Sequence, residues 1–146
     1  MALGDDIKLF EQIPIFQLLE PDALRLLAFS AETKLLRAGD VLYAAPARLE
    51  CGYIVVKGTL AIFNNREALG EAARIVQSPG LIGELAMIAP TEPSGSIIAR
   101  EPTTLLRVSR AVFHRVLGEY PRSAEAVRRM VSDRLSSLSS QLAPLG

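Results

Sequence analysis

The segment of this chain between residues 31 and 108 consists of short apolar stretches separated by turn residues. About eight such stretches follow one another at the spacing that is typical of an all-β sandwich or barrel. Two of them, Tyr53–Val56 and Thr59–Phe63, are rich in β-prone residues and are separated by the turn pair Lys57-Gly58. The sequence therefore predicts a mainly β structure in which these two stretches form a hairpin.

Helical patterns flank the β-rich segment on both sides. In residues 1–30, Asp5 or Asp6 is predicted to cap a first helix that ends at Pro14. The apolar positions assigned to that helix are Ile7, Phe10 and Ile13. Proline is well placed at the first position of a helix, so Pro21 predicts the start of a second one.

The pattern after the β-rich segment, residues 109–142, predicts two more helices. Ser109 is a suitable N-cap for the first of them, and Gly118 and Pro121 bracket a break before a longer helix that starts at about Arg122. The apolar positions of the longer helix are Ala124, Val127, Met130, Val131, Leu135, Leu138 and Leu142.

The apolar stripe of this long helix narrows towards its C-terminus. From Val131 onward the steps are four, three and four residues, which is a heptad pattern. A narrow seam suits packing against a second helix better than packing against a curved sheet. We therefore predict a homodimer held through Val131, Leu135, Leu138 and Leu142, and the alternative is a helix that folds back on its own domain.

The charge balance gives no general argument for nucleic-acid binding. The chain of 146 residues carries 16 basic and 16 acidic side chains and has no formal net charge. No second three-helix pattern follows that could form a helix-turn-helix, so no nucleic acid is expected to bind this chain alone. The basic residues interpreted as the solvated face of the long helix are Arg122, Arg128, Arg129 and Arg134.

Length and hydropathy predict one soluble domain over residues 1–146. The hydrophobic content of 49% is sufficient for a packed core, and no apolar run reaches the roughly 18 residues of a membrane span. The first ten residues are acidic where a signal peptide is basic. A cytoplasmic protein without membrane contact is the expectation.

The residues with the most reactive side chains do not form a catalytic pattern. Cys51 is the only cysteine, which excludes an intrachain disulfide, and a buried small side chain is favoured over a reactive thiol. His114 is the only histidine and lacks partners at metal-ligand spacing, so we interpret it as a surface residue of a helix. We therefore expect no enzyme, no metal and no required cofactor.

The stretch Gly80–Arg100 is the best candidate for a binding site. A short helical turn over Glu84–Ile88 would point several backbone N–H groups at one place, where an anion could bind. The small residues around it, which would let a ligand approach the backbone, are Gly83, Ala86, Ser94 and Gly95. The alternative is an ordinary loop with one turn of helix.

Five segments in this order resemble the cyclic nucleotide-binding domain family. They are Ile13–Phe16 with Ala23-Leu24, Ala38–Leu42, Gly52–Gly58, Gly83–Ile88, and Thr103–Val108 with Phe113. The resemblance implies N-terminal helices over 1–30, a jelly-roll-like β-barrel over 31–108 and C-terminal helices over 109–142. It also implies that residues 80–98 form the phosphate-binding cassette of the family.

In the family, the cassette glutamate accepts a hydrogen bond from the ribose 2′-OH of the ligand. Backbone amides and an arginine hold the cyclic phosphate, and the C-terminal helix closes over the base and relays binding to an effector. Carried over by position, the resemblance implies that the ligand-binding residues are Gly83, Glu84, Leu85, Ala86, Ser94, Gly95 and Ser96.

The cassette departs from the family at the arginine that holds the phosphate. The position falls on Pro93 or Ser94, depending on a one-residue gap, and the neighbouring Glu92 adds a repelling charge. A missing charge-assisted hydrogen bond costs roughly 1.5–3 kcal/mol, so weak binding is expected. Arg100 follows at the end of the next strand, which should carry it away from the cassette.

Two functions therefore stay open at this point. The first is a ligand sensor that binds a cyclic nucleotide, cAMP or cGMP, or a related small anion. The second is a degenerate module that binds no nucleotide and acts through protein–protein contacts, either as a homodimer or on an effector protein. The retained Gly83-Glu84-Leu85-Ala86 favours the first, and the missing arginine favours the second.

Overall fold

Two four-stranded antiparallel sheets and four α-helices make up the part of the chain that the structure describes. The structure is a computed structural model that describes residues 3–64 and 72–142, and the side chains of residues 4–64 and 72–137. The helices are α1 (Leu3–Phe10), α2 (Pro21–Ser30), α3 (Arg110–Glu119) and α4 (Pro121–Leu142), and two short 3-10 turns cover Pro14–Leu18 and Leu85–Met87. The strands are β1 (Glu32–Leu36), β2 (Val41–Ala44), β3 (Cys51–Lys57), β4 (Thr59–Phe63), β5 (Arg74–Gln77), β6 (Gly80–Ile82), β7 (Ser96–Ala99) and β8 (Thr103–Ser109).

The strand order is jelly-roll-like. Sheet I has the order β1-β8-β3-β6, and sheet II has the order β2-β7-β4-β5. This arrangement confirms a mainly β structure with flanking helices. The predicted barrel is wrong, because each described sheet has two edge strands and the two sheets do not close on one another.

The predicted hairpin between β3 and β4 is also wrong. The two strands belong to different sheets, and only Gly58 separates them, one residue fewer than the shortest common hairpin loop. Both edges of β3 are already paired, one with β8 and the other with β6, so β4 has no edge to join. The chain therefore crosses from sheet I to sheet II at Gly58.

The two faces of sheet I are covered by two different apolar cores. On one face, Cys51, Tyr53 and Val55 of β3 point towards sheet II and contribute to the core between the sheets. On the other face, Ile54 points towards the helices and packs in a core that includes Phe10 and Phe113. Burial on both faces explains why β3 is a continuous apolar run rather than an alternating one.

The helix starts agree with the sequence in three cases out of four, since α4 begins at Pro121, within one residue of the predicted Arg122. Pro21 is the first residue of α2, and the Ser109 hydroxyl caps α3 by accepting from Val112 N–H at 3.1 Å. The capping role predicted for Asp5 or Asp6 is wrong, because α1 already begins at Leu3. Both carboxylates lie in its first turn, where they still favour the positive end of the helix dipole.

The remaining single-residue predictions concern Cys51, His114 and Ile13. Cys51 is buried at 4% exposure, which confirms the expectation of a buried small side chain. His114 is exposed on α3, as expected, with Nε2 lying 2.9 Å from the Ile88 carbonyl oxygen. Ile13 lies beyond the end of α1 but is buried in the helical core. Among the described residues, no helix has the length and apolar character that crossing a membrane requires.

Two neighbouring titratable groups of sheet I, Tyr53 and Arg107, have raised pKa values. Tyr53 lies opposite Arg107 in the β3–β8 ladder and is 8% exposed. Burial, reinforced by Cys51 and opposed by Arg107, raises the pKa of Tyr53 to about 12 from an ordinary 10.0. The folded state therefore holds this proton more tightly than the unfolded chain does.

We predict that Tyr53 stabilises the fold fully below pH 10 and that this contribution is lost as the pH rises towards 12. Denaturant unfolding at a series of pH values, with tyrosinate absorbance followed in parallel, measures both quantities. The Tyr53→Phe variant removes the group. The difference between the two proteins should fall across that pH window, and an unchanged difference would contradict the assignment.

Candidate functional site

A cavity of about 570 Å³ lies between the cassette and residues of sheet II. Its volume is in the range of small-molecule sites, roughly 300–1,000 Å³. All seven residues that the sequence analysis assigned to a ligand line it: Gly83, Glu84, Leu85, Ala86, Ser94, Gly95 and Ser96. The structure thus brings the two halves of the cassette, which are separated by seven residues of sequence, to one cavity.

The helical turn predicted over Glu84–Ile88 is present as the 3-10 turn Leu85–Met87, here called the cassette turn. Gly83 precedes it with a φ of +83°, and a Cβ there would lie 2.5 Å from the Cys51 carbonyl oxygen. Only glycine fits this position, because the backbone is left-handed and presses against β3. Glycine therefore sets the close approach that aims the turn at the cavity.

The first N–H groups of the cassette turn are the donors that it can offer to a ligand. The Met87 amide donates back to the carbonyl oxygens of Gly83 and Glu84, at 3.2 and 3.3 Å. The amides of Leu85 and Ala86 come before the first bond that closes the turn, and such N–H groups have no partner within a helix. They can serve an anion, although the turn is only three residues long.

The second half of the cassette, the loop from Pro90 to Gly95, is fixed by backbone contacts. Leu49 and Thr91 exchange two N–H···O bonds of 2.7 and 3.0 Å, and the Ala45 amide donates to the Gly95 carbonyl at 3.0 Å. A Cβ at Gly95 would lie 1.5 Å from the Phe63 carbonyl oxygen, so this position excludes any side chain. The loop is therefore held tightly against β4.

Two side chains complete these attachments. The Tyr43 hydroxyl lies 2.5 Å from the Ala47 carbonyl oxygen and 2.7 Å from that of Pro93, and it can donate to one of them at a time. The Ser94 hydroxyl donates to the Asn64 carbonyl at 3.1 Å. The loop thus has defined contacts to β2 and to the end of β4.

The Glu84 carboxylate contacts helix α4. Arg134 Nη1 lies 2.5 Å from Glu84 Oε1, and the two side chains are 52% and 27% exposed. Glu84 Oε1 itself is shielded from solvent and has no aligned hydrogen-bond partner among the described residues. Because the two groups are close but not aligned for a hydrogen bond, the contact is an ion pair. This ion pair links the cavity to α4.

All four arginines on α4 are exposed, as expected. The contact of Arg134 with the cassette glutamate was not predicted. Two of the other arginines, Arg128 and Arg129, pair with Glu125 on the same helix. Sequence periodicity could not separate these cases, because the partner of Arg134 is about fifty residues away in the chain.

The heptad seam on α4 is only partly within the described side chains. Val127 is buried in the helical core, and Met130 and Val131 pack against its margin. Leu135 is 61% exposed, whereas the side chains of Leu138 and Leu142 lie outside the described residues. The early part of the stripe is thus covered by the helices of the domain rather than by a sheet alone.

The charges around the cavity differ from those that the family pattern implies. The position of the cassette arginine holds Pro93 or Ser94, and the carboxylates of Glu84 and Glu92 both line the cavity. Arg100 is not among the lining residues, which agrees with the expectation that its strand carries it away. Among the described residues, the cation that lines the cavity is Arg74, at the start of β5.

Sequence reasoning missed Arg74 and the apolar wall of the cavity. That wall comprises Leu49, Ile62, Phe63, Leu81, Ile82 and Ile97. The available signal was the strand period in β5, since residues 74 and 76 share a face. This signal could not show which face of β5 points inward, because Ile75 on one face is as apolar as Val76 on the other.

Comparison with known proteins gives a family. The family model for the cyclic nucleotide-binding domain matches residues 33–120. A solved structure of a cyclic nucleotide-binding-like protein from Brucella abortus is 36% identical, with a TM-score of 0.71, and the match covers 78% of this chain and 98% of that one.

Two curated relatives are matched over much of this chain. A cAMP-dependent protein kinase regulatory subunit from Colletotrichum orbiculare is 34% identical over 99 residues, which is 67% of this chain and 24% of the relative. The lysophospholipase NTE1 from Chaetomium globosum is 27% identical over 111 residues, 75% of this chain and 7% of the relative. The chain therefore spans less than a quarter of the length of either protein. Since the family model covers more than half of it, this chain belongs to the cyclic nucleotide-binding domain family.

Proposed function

We propose that this chain is a ligand-sensing regulatory domain whose cavity binds a cyclic nucleotide, cAMP or cGMP, or a related small anion. The observation that carries the proposal is the convergence of the Glu84 carboxylate, the N-terminal amides of the cassette turn and Ser94–Ser96 on one cavity. A hydroxyl acceptor and a group of N–H donors are what a ribose and a phosphate require.

The family membership and the relatives support this proposal. The family binds cyclic nucleotides and is regulatory and non-enzymatic, and one relative is named as a cAMP-dependent protein kinase regulatory subunit. In the proposed complex, the ribose 2′-OH donates to Glu84. The cyclic phosphate accepts from amides near Leu85, Ala86 and Ser94–Ser96. The apolar wall of the cavity contacts the rest of the ligand.

A second candidate is a module that binds no nucleotide and acts through its helices. One observation favours it: Arg134 already pairs with the carboxylate that a ribose would need. The exposed Leu135 on the same helix offers a surface for another chain. A direct binding measurement separates the two candidates.

We predict micromolar or weaker binding of cAMP or cGMP in calorimetric titration, because the cassette arginine is missing. Glu84→Ala should weaken binding, since it removes the acceptor for the ribose hydroxyl. Glu119→Ala, at an exposed position of α3 that does not line the cavity, is the matched control and should bind as the wild type does. Nanomolar affinity in the wild type, or an unchanged affinity in Glu84→Ala, would overturn this account of the site.

The same titration has a gain-of-function arm. Ser94→Arg introduces a guanidinium at an exposed position that lines the cavity. A charge-assisted hydrogen bond to the phosphate would tighten binding by roughly one to two decades. If neither the wild type nor Ser94→Arg binds either nucleotide, the domain is better described as an interaction module.

A sensor must transmit its state, and the Glu84–Arg134 ion pair is the connection that the structure offers. Both side chains are partly exposed, so the pair contributes at most about 1 kcal/mol. We predict that Arg134→Gln and Glu84→Gln each speed hydrogen exchange in the C-terminal half of α4 by up to about fivefold. The double variant should exchange no faster than the single ones.

The control for this measurement is Arg128→Gln. Arg128 contacts only Glu125 of its own helix among the described ion pairs, so its loss leaves the cavity untouched. Additive effects of the two cassette-linked substitutions would show that Glu84 and α4 are not coupled. Equal acceleration by Arg128→Gln would show that any charge change on α4 has the same effect.

We also propose that the domain forms a homodimer through α4, with Leu135 in the seam. The support is the heptad spacing from Val131 and the 61% exposure of Leu135. Light scattering of the purified chain should give a dimer, and Leu135→Glu should shift it towards the monomer. Two turns of seam are too short to hold a dimer alone, so the dissociation constant should lie in the micromolar range.

The matched control for the dimer is Phe29→Glu on α2, which changes an apolar residue that is 74% exposed. It should leave the association unchanged. A wild-type monomer at high micromolar concentration would rule the dimer out. A dimer that tolerates Leu135→Glu would show that another surface associates.

A further inference from the structure

Arg74 occupies an inward-facing position at the edge of sheet II. It lies opposite Ile62 of β4, and Ile62 lies opposite Ile97 of β7. Directly opposed residues in an antiparallel ladder share one face of the sheet. Ile97 is 5% exposed and lines the cavity, so this row of three residues faces the cavity side.

The rest of β5 gives the same orientation. Val76 lies opposite Leu60, and both are buried in the core between the sheets, whereas Ile75 is 45% exposed on the outer face. Because side chains alternate along a strand, Arg74 shares the inner face with Val76. Arg74 is exposed to solvent at the end of the strand, but it lies on the cavity side of sheet II, whereas Ile75 lies on the outer side.

An inward charge on an edge strand also has a purely structural explanation. Such residues hinder the addition of another strand to the edge of a sheet. This explanation accounts for a charge but not for its position beside the cassette. Arg74 is the one basic side chain among the described residues that line the cavity, together with Glu84 and Glu92.

The distances between the strands allow Arg74 and the cassette to share one anion. Gly95 and Ser96 lie at the start of β7, and β7 is separated from β5 only by β4. Two strand spacings are roughly 10 Å. A phosphate and an extended arginine side chain together span such a gap.

We propose that Arg74 supplies a cation for the phosphate of the ligand, on the opposite side of the cavity from the position of the missing cassette arginine. Because Arg74 is exposed, solvent weakens this contact, and binding stays in the micromolar range predicted above. The ligand class is then a singly charged phosphodiester, held between the guanidinium of β5 and the backbone at Ser94–Ser96. This inference rests on the proposed function, since it names the group that completes the same site. The positive charge then comes from β5 of sheet II and not from the cassette loop.

The test uses the full chain and two probes. The first probe is the cyclic nucleotide, measured by calorimetry with wild type, Arg74→Gln, Arg74→Lys and Arg100→Gln. Arg74→Gln should lose roughly ten- to hundredfold in affinity, and Arg74→Lys should retain part of it because the charge remains. Arg100→Gln is the matched control outside the cavity and should bind as the wild type does.

A structural role for Arg74 is separated from a binding role by two further measurements. Thermal unfolding shows whether Arg74→Gln is folded, and the double variant Arg74→Gln with Ser94→Arg restores a cation on the other side of the cavity. Recovery of affinity in the double variant supports a role of charge. A folded Arg74→Gln that binds as tightly as the wild type overturns the proposal and leaves the proposed function standing.

The second probe, dimethyl phosphate, tests the anion site without the ribose and the base. Chemical-shift titration should move the backbone amides of Gly95 and Ser96 in the wild type and in Arg100→Gln, but not in Arg74→Gln. If neither cyclic nucleotide binds while this probe still does so through Arg74, the proposal of a cyclic-nucleotide ligand fails, and a site for a small anion remains. If the probe shifts the wild type and Arg74→Gln equally, or shifts neither, the assignment of Arg74 is wrong.

Discussion

The antiparallel pairing of β3 with β8 is the contact on which the rest of the structure depends. Its residues Ile54, Leu106 and Val108 point towards the helices, and Val55 and Leu105 point towards sheet II. This pair of strands therefore contributes one face to each of the two apolar cores. The other edge of β3 pairs with β6, which leads directly into the cassette turn. The end of β8 leads directly into α3 through the Ser109 cap. The cassette turn and the C-terminal helices therefore both begin at the same end of this ladder, beside Cys51.

The cassette is shaped by backbone contacts more than by side chains. Gly83 approaches the Cys51 carbonyl and Gly95 approaches the Phe63 carbonyl so closely that neither position accepts a Cβ. One of these contacts is made to sheet I and the other to sheet II. The two halves of the cassette thus have their separation fixed by the packing of the two sheets, and the donors for an anion are arranged before any ligand arrives. Such preorganisation reduces the entropy that binding would otherwise lose.

The sequence predicted the elements of this fold better than their pairing. Local signals such as Pro21, Ser109 and the glycine before Glu84 act within a few residues, and they predicted the starts of α2, α3 and the cassette turn correctly. The hairpin after Lys57 failed because the choice of a partner for β3 depends on β8, about fifty residues later. Arg74 and Arg134 were missed for the same reason, since the row opposite Arg74 and the carboxylate beside Arg134 come from distant parts of the chain. The family resemblance predicted which residues gather at the cavity, and local chemistry could not predict which cations join them.

The ion pair between Glu84 and Arg134 couples ligand binding in the cavity to the packing of α4 on the domain. Any ligand that changes the partner of the Glu84 carboxylate changes the free energy with which α4 is held against the domain, and the reverse holds by thermodynamic linkage. Leu135 follows Arg134 directly and is exposed, so a chain that associates through this part of α4 acts on the residue that reaches the cavity. With both side chains partly open to solvent, the coupling through this one pair is limited to about 1 kcal/mol, or roughly fivefold in affinity. A larger response would require α4 to move as a unit, with Val127 and Met130 changing their packing on the helical core as well. The size of the coupling between ligand and association therefore measures whether the ion pair acts alone or moves the whole helix.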